Sequence, residues 1–401
     1  MKNILISSSA APDSGSGVST YAREISENLV LKGYKIYYLS PTPDDFSWLK
    51  NNDIIHIESS YSSNLLERCQ YLVTYIKDKN IQGIINNDNP VLQSIAPAIN
   101  CPIIAIGHLE KFTIASTATY NTEWIDYVVA ISNDMQKTYI QKFGVPISKC
   151  PIVHNGVKQT NIVVSDNTDK ALKLIFAGEF SKRKGADIIV KTILTNHPVW
   201  DQVELHWYGD IPEKIKLQLN KNSSVHIHGR VPRTELLDSL KSSDVFLMSS
   251  REEGCPMAML EAMSYGVVPI SSNGIGAMRW LIDHGIEGFI CHINHWNEQA
   301  LECLSLLATN RQQLKTLKQH VLDKFNSQFT VDHTTEKLLY LLQNPTVDRS
   351  NAQSEIKVLR WHRFNPKVNK ASFLDKVFWR LGILRFSGTL NLSSSNQRVV
   401  K

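Results

Sequence analysis

Two glutamates eight positions apart, Glu253 and Glu261, bracket the turn Gly254-Cys255-Pro256 and the opening of an apolar run, Met257-Ala258-Met259-Leu260-Glu261-Ala262-Met263. Just upstream, Val245-Phe246-Leu247-Met248 is a short continuous apolar stretch of the kind that forms a buried strand. A strand, a turn and a helix start in this order make a place for an anion. Gly254 lets backbone come close to a ligand, Pro256 suits a first helical turn that needs no N–H from it, and the N–H groups and positive dipole end of the helix point outward. Binding of a diphosphate is the chemistry expected there.

Glu261 falls inside that apolar helix, where an unpaired carboxylate is costly to bury. A phosphate would repel it, whereas two vicinal ribose hydroxyls could each donate to one carboxylate oxygen. Glu253, on the preceding loop, is placed to bind sugar hydroxyls or to lie beside an anomeric carbon. The plainer alternative has Glu253 capping the helix and Glu261 paired with a basic residue across the interface; the strand, turn and apolar helix around them favour the ligand reading.

The elements that must position these residues alternate. Strands are expected over 3–7, 35–39, 54–58, 83–86, 103–106 and 127–131, with helices over 20–32 and 65–77 between them. After a polar stretch at 158–170, rich in Asn, Thr and Asp, a second series follows: strands over 172–176, 203–208, 225–228, 245–248 and 267–270, with helices from about 186, over 235–241 and from 256. Such alternation predicts parallel βαβ units, hence an α/β chain with two Rossmann-like, doubly wound domains facing across a cleft. The expected boundaries are 1–157, 158–345 and a basic extension over 346–401.

At 401 residues, 42% hydrophobic and 20% charged, the chain has the composition of a globular protein of two domains. No apolar run approaches the roughly 18 residues of a membrane span, and Ile4-Leu5-Ile6 is too short for a secretory segment, so a cytoplasmic location is expected. Six scattered cysteines without a Cys-x-x-Cys pair fit reduced thiols, and Cys291, His292 and His295 should diverge too far to hold a metal. Net charge is +5, yet residues 346–401 carry eleven Lys or Arg against three Asp or Glu, a local +8 that leaves the first 345 residues at −3. A nucleic-acid-binding body is therefore not expected.

At this point the segment around Glu253 and Glu261 resembles glycosyltransferase family 4, the group 1 glycosyltransferases, which are retaining enzymes of GT-B fold whose signature places Glu, seven residues and Glu within a Glu-Gly-x-Pro…Leu-Glu-Ala-Met stretch. The resemblance extends over about 1–342. Gly15 and Gly17 in Ser14-Gly15-Ser16-Gly17-Val18 look like its first glycine loop, facing the donor phosphates. Asp53-Ile54-Ile55-His56 is similar to its second-strand motif, and His154-Asn155-Gly156-Val157 to the start of its donor-binding domain. Gly229-Arg230-Val231 resembles the loop whose backbone meets the base, so Gly229 and Val231 join the implied donor set with Glu253, Gly254, Cys255, Pro256, Met257 and Glu261. His108, after the strand at 103–106, lies where the family has a histidine touching the donor sugar or a reacting hydroxyl; outside the family a lone histidine there is a satisfied surface group.

In Ala177-Gly178-Glu179-Phe180-Ser181-Lys182-Arg183-Lys184-Gly185, Lys184 matches the family's phosphate lysine, but Glu179 stands where its arginine usually does, and Arg183 is the nearby substitute cation. Lys182 and Arg183 could equally be a solvated patch. His108, Lys184 and Glu253 are thus the implied catalytic residues. The resemblance implies transfer of a sugar from a nucleotide-sugar donor to a glycan or lipid-linked acceptor in cell-surface polysaccharide assembly, with the leaving phosphate accepting the acceptor's proton. No Asp-x-Asp occurs, so no metal and no other cofactor is expected. The departure at Glu179 keeps open a second reading, a catalytically inactive GT-B scaffold that binds a nucleotide sugar. A nicotinamide-dependent oxidoreductase fits poorly, since Thr20 stands where the third glycine of the dinucleotide fingerprint belongs and no acid ends the strand at 35–39.

Within the basic extension, 373–386 has apolar residues including Trp379 at helical spacing, with Lys376 and Arg380 four apart. It could lie on an anionic membrane surface at the inner face of the membrane, or close as a helix against the acceptor domain. Residues 391–397 read as disordered.

Overall fold

A computed structural model describes residues 1–59, 65–160, 162, 171–350, 355–359 and 386–391. Most of the polar stretch at 158–170 and all of 373–385 lie outside the described residues. Phe386 and Asn391 belong to a strand, Phe386–Asn391, that pairs antiparallel with Glu355–Leu359, rather than to a helix or a disordered end.

The chain divides into two compact units, Met1–His154 with Thr334–Lys401, and Asn155–His333. In the first unit, β1 (Asn3–Ser7), α1 (Gly17–Leu31), β2 (Lys35–Ser40), α2 (Ser47–Asn51), β3 (Ile55–Glu58), α3 (Leu65–Asp78), β4 (Gly83–Asn87), α4 (Pro90–Ile95), β5 (Ile103–Ile106), α5 (Phe112–Ala118), β6 (Tyr127–Val129) and α6 (Asn133–Phe143) follow one another. The strands form one sheet in the order β3-β2-β1-β4-β5-β6, and every neighbouring pair is parallel. Apolar runs with no alternation, such as Ile4-Leu5-Ile6 at 0% exposure, are what a sheet covered on both faces requires.

The second unit contains β7 (Leu172–Ala177), α7 (Ala186–Ile193), β8 (Val203–Tyr208), α8 (Glu213–Leu219), β9 (Val225–Gly229), α9 (Arg233–Lys241), β10 (Val245–Met248), β11 (Glu252–Glu253), α10 (Met257–Ser264), β12 (Val268–Ser272), β13 (Ile275–Gly276), α11 (Met278–Leu281), β14 (Phe289–Cys291), α12 (Trp296–Thr309) and α13 (Arg311–Gln328). Its main sheet runs β9-β8-β7-β10-β12-β14, again all parallel. Setting aside the two-residue strands, both sheets have the order 3-2-1-4-5-6 of a doubly wound nucleotide-binding fold. That order reverses direction between the first and fourth strands, which opens a crevice beyond their carboxyl ends. The loops after β1 and β4, and after β7 and β10, are therefore the ones poised to hold ligands.

The second unit ends at His333, short of the expected 345, because the last helix, α14 (Val331–Gln343), returns to the first unit. There Thr335 Oγ1 donates to Asn28 Oδ1 at 2.6 Å and the Tyr127 hydroxyl donates to the Asn344 carbonyl at 2.6 Å. Residues 346–350 are held by the same unit rather than forming a free tail. Asp126, fully buried, accepts the N–H groups of Thr346 and Val347 at 2.9 and 3.0 Å and pairs with Arg349. Among the described residues no helix is long and apolar enough to cross a membrane.

Candidate functional site

At the reversal point of the second sheet, the loops after β7 and β10 lock together through backbone. The Arg251 N–H donates to the Arg183 carbonyl at 2.8 Å, and Ser249 Oγ donates to the Gly185 carbonyl at 2.8 Å. Gly185 makes this approach possible: its φ is +67°, and a Cβ there would sit 1.9 Å from the Ser249 carbonyl oxygen. The junction carries three of the expected residues into one cluster. Lys184 Nζ lies 2.7 Å from Glu253 Oε1 and Arg183 Nη1 3.2 Å from Glu253 Oε2, while Ser250 Oγ donates to Oε1 at 2.8 Å. Arg183 also reaches Glu179 at 3.2 Å and donates to the Glu252 carbonyl at 3.2 Å. Glu253 is buried, and with two cations and a hydroxyl its charge is met.

Glu253 does not cap the helix, because Pro256 occupies the N-cap of α10 and no side chain bonds there. It sits instead on β11, paired in parallel with β13 so that Glu253 lies opposite Gly276. Gly276 has φ +108° and its Cβ would fall 1.5 Å from the Glu253 carbonyl oxygen, so any side chain would push this short ladder apart. Gly185 and Gly276 are thus left-handed glycines at the Glu253 cluster, and Gly254 is not left-handed. Asn155 holds the turn itself, donating through Nδ2 to the Cys255 carbonyl at 3.1 Å. Cys255 is buried, which pushes its thiol up to about 12, so it is a neutral spacer and not a nucleophile.

Glu261, also buried, has a basic partner, as the plainer reading allowed, but that partner comes from its own unit and not from across the interface. Arg233 donates through Nε at 2.8 Å and Nη2 at 2.7 Å to Glu261 Oε1. Arg233 opens α9 immediately after the loop Gly229-Arg230-Val231-Pro232, so the ion pair ties the expected base loop to the expected ribose carboxylate. Gly229 is left-handed at φ +71° where β9 gives way to that loop.

The first unit carries its own polar cluster at its reversal point. Gly15 is left-handed at φ +67°, Ser16 caps α1 by accepting the Ser19 N–H at 3.2 Å, and Gly17 is the first helical residue. At the end of β4, Asn87 Nδ2 donates to the Ser7 carbonyl at 2.8 Å, Ser7 Oγ donates to Asn86 Oδ1 at 2.9 Å and Asn87 N–H donates back to Ser7 Oγ at 2.8 Å. His108, after β5, is buried against the Tyr21 ring at 4.8 Å, with Nε2 at 2.9 Å from Asn87 Oδ1. Because the amide NH2 of Asn87 is spent on Ser7, its Oδ1 must accept, so His108 carries its proton on Nε2 and offers Nδ1 as an acceptor. Burial lowers its pKa to about 4, which keeps the ring neutral.

A pH dependence follows. In the unfolded chain the imidazole binds a proton near pH 6.5, while in the folded chain it stays neutral down to about 4. Protonation then favours the unfolded state, so stability is retained above pH 6.5 and lost as pH falls from 6.5 toward 4, by up to about 3 kcal/mol from this group. Urea titrations at pH 7.5 and 4.5 should show His108→Gln losing less stability than the parent across that interval; an identical loss would show that His108 does not contribute.

Sequence reasoning quoted Asn155 within a motif without giving it a role, and gave none to Arg233, Ser250, Asn86 or Asn87. The signal for the last two was present: the polar run Asn86-Asn87-Asp88-Asn89 begins within the strand Gly83–Asn87, directly after its apolar Ile84-Ile85. Arg233 had no such signal, because its meeting with Glu261 depends on the packing of α9 near α10.

Two doubly wound units of the same strand order, each with a polar cluster at its reversal point, define a GT-B protein. The fold matches that of an Anabaena HepE structure in complex with UDP at a TM-score of 0.70, over 86% of this chain and 100% of that one, at 17% identity. Residues 157–320, within the second unit, match the family described as glycosyl transferases group 1. Among sequence relatives, the O-antigen biosynthesis glycosyltransferase WclY of Escherichia coli is 28% identical over 56% of this chain and 62% of its own length. The lipopolysaccharide 1,6-galactosyltransferase of Salmonella typhimurium is 28% identical over 62% of this chain and 76% of its own. The match to WclY thus spans less than two thirds of that protein.

Proposed function

We propose that this chain is a retaining glycosyltransferase that moves a hexosyl group from a nucleotide-sugar donor to a glycan or lipid-linked acceptor in cell-surface polysaccharide assembly. The observation that carries the reading is the Arg183, Lys184 and Glu253 cluster at the reversal point of the second sheet, beside the start of α10. In this proposal the donor diphosphate takes up Lys184 and Arg183 and the helix-start N–H groups of the Gly254-Cys255-Pro256-Met257 turn. The ribose hydroxyls donate to Glu261, whose orientation Arg233 fixes, and the base meets the backbone of Gly229 and Val231. Glu253 faces the sugar, and its negative charge stabilises the oxocarbenium-like centre as the bond to phosphate lengthens.

Two cations and a helix start supply the charge that a divalent ion supplies in other transferases, so the transfer step is metal-independent. Neutral His108, through Nδ1, accepts a hydrogen bond from a sugar or acceptor hydroxyl, and Gly15 and Gly17 offer backbone N–H groups to phosphate. The relatives' names support a lipopolysaccharide-type acceptor, the UDP complex supports a uridine donor, and the basic stretch at 373–386 supports attachment to the inner face of a membrane bearing a lipid-linked acceptor.

Thermal-shift screening against UDP-, GDP-, ADP- and TDP-sugars tests the proposal. A ligand at 100 times its Kd stabilises the folded state by about 2.7 kcal/mol, so one class of donor should raise the melting temperature by several degrees. Silence across all four classes would sink it. Glu179, whose pairing draws Arg183 aside, supports a second reading in which the site binds donor without turning it over; stabilisation without slow release of free nucleotide would favour that scaffold.

A further inference from the structure

On the face of the second sheet near its β9 edge, three imidazoles and a carboxylate stand together, apart from the donor machinery. Glu204, His206 and Tyr208 share one face of β8 by strand alternation, and His226 and His228 share the matching face of β9, with His206 in register with His226. The His206 and His226 rings lie 4.9 Å apart, and His228 stacks on Tyr208 at 4.5 Å. One donor atom from each of Glu204, His206 and His226 falls within 4.8 Å of the others, a juxtaposition found for no other group of three or more such side chains among the described residues. Cys291, His292 and His295 do not form one.

His206 supplies an independent sign that something is missing. Its Nδ1 lies 2.9 Å from His228 Nε2, but its Nε2 is shut off from solvent with no hydrogen-bond partner, and the nearest carboxylate oxygen, from Glu204, is 4.0 Å away. A buried ring nitrogen without a partner is costly. A cation between His206 Nε2, His226 and Glu204 would remove that cost, and the contact to His228 then has a definite meaning. With Nε2 on a metal, Nδ1 carries the proton and donates to His228, the outer hydrogen bond that ligating histidines characteristically make.

We propose that Glu204, His206 and His226 form a binding site for a divalent transition-metal ion of zinc type, with His228 orienting His206 and a water completing a four-coordinate shell. Two imidazoles and one carboxylate suit zinc, while the absence of further oxygen ligands disfavours magnesium and calcium. Bonds of about 2.0–2.1 Å require donor atoms roughly 3.3 Å apart, so the set must draw in by about 1.5 Å at its widest. The Glu204 side chain is 48% exposed and His226 is exposed, so both can rotate inward without disturbing the core. Such an ion would clasp the edge strand β9 to β8, just before Gly229.

Isothermal titration of zinc chloride into the full, metal-stripped chain should give one ion per chain. His206→Gln and His226→Gln should each weaken binding by 30-fold or more and their combination should abolish it, while His228→Ala should weaken it by about 10- to 100-fold. Cobalt(II) in place of zinc should give visible bands of four-coordinate nitrogen and oxygen ligation without thiolate charge transfer. No stoichiometric uptake, or uptake that survives the double variant, overturns the assignment. Because none of these residues belongs to the donor machinery, failure here leaves the transferase reading standing, and failure of donor binding leaves the metal site standing.

Discussion

Glu261→Ala is expected to abolish measurable donor affinity while the protein remains folded. Glu261 lies in the buried face of α10, where water cannot replace it, and hydrogen bonds to an ionised carboxylate there are worth about 1.5–3 kcal/mol each. Two ribose hydroxyls make the expected loss about 3–6 kcal/mol, or 10²- to 10⁴-fold in Kd. The stability cost should be much smaller. Arg233, which loses its bonds to Glu261, has a side chain 28% exposed and can turn into water, so the loss should stay near 1–2 kcal/mol. Arg233→Ala should show the opposite balance: it takes two charged hydrogen bonds from a buried carboxylate, which costs stability first and affinity second. Calorimetry with the nucleoside diphosphate, alongside urea unfolding of both variants, separates the two effects. Unchanged affinity in Glu261→Ala would mean that its carboxylate serves only Arg233.

That ion pair also marks the limit of what the sequence discloses. The parallel sheets were legible because their strands are short apolar runs, such as Ile103–Ile106 and Val245–Met248, separated by helical patterns of ordinary length; both recur at the expected positions. The turn before α10 was legible because glycine, proline and an isolated carboxylate in an apolar helix each have a narrow physical explanation. Arg233 was not, since nothing in Arg-Thr-Glu-Leu-Leu distinguishes a partnered arginine from a solvated one until α9 is laid beside α10. The structural need for Gly185, quoted only as the end of a loop motif, and for Gly276 was missed for a similar reason. Their necessity comes from the carbonyls of Ser249 and Glu253, which are distant in the chain and reach them only through the loop junction and the β11–β13 pairing.

The return of α14 to the first unit was equally hidden. An amphipathic helix at the end of a βαβ series reads as part of that series, and only the bonds from Thr335 to Asn28 and from Tyr127 to Asn344, each spanning more than half the chain, show otherwise. Asp126 explains why residues 346–350 follow it: a fully buried carboxylate needs partners, and the N–H groups of Thr346 and Val347 with Arg349 provide them.

Lys184→Ala should reduce turnover about 10³-fold, with a smaller rise in the donor KM. The leaving diphosphate gains charge as the glycosidic bond breaks, so a cation aimed at it contributes more in the transition state than in the bound ground state, and about 4 kcal/mol is a reasonable share for one such group. Folding should survive, because Glu253 keeps Arg183 at 3.2 Å and the Ser250 hydroxyl at 2.8 Å when Lys184 is gone. Glu253→Gln is the counterpart. Its amide preserves the volume but releases Lys184 and Arg183 from their carboxylate, so donor binding should hold or tighten as the freed cations turn to phosphate, while turnover falls because no negative charge faces the developing oxocarbenium. The two variants therefore diverge in donor affinity and converge in lost turnover. A Glu253→Gln protein that turns over at the parental rate would remove the carboxylate from the chemistry and leave it only the task of holding Lys184 and Arg183 in place before the donor arrives.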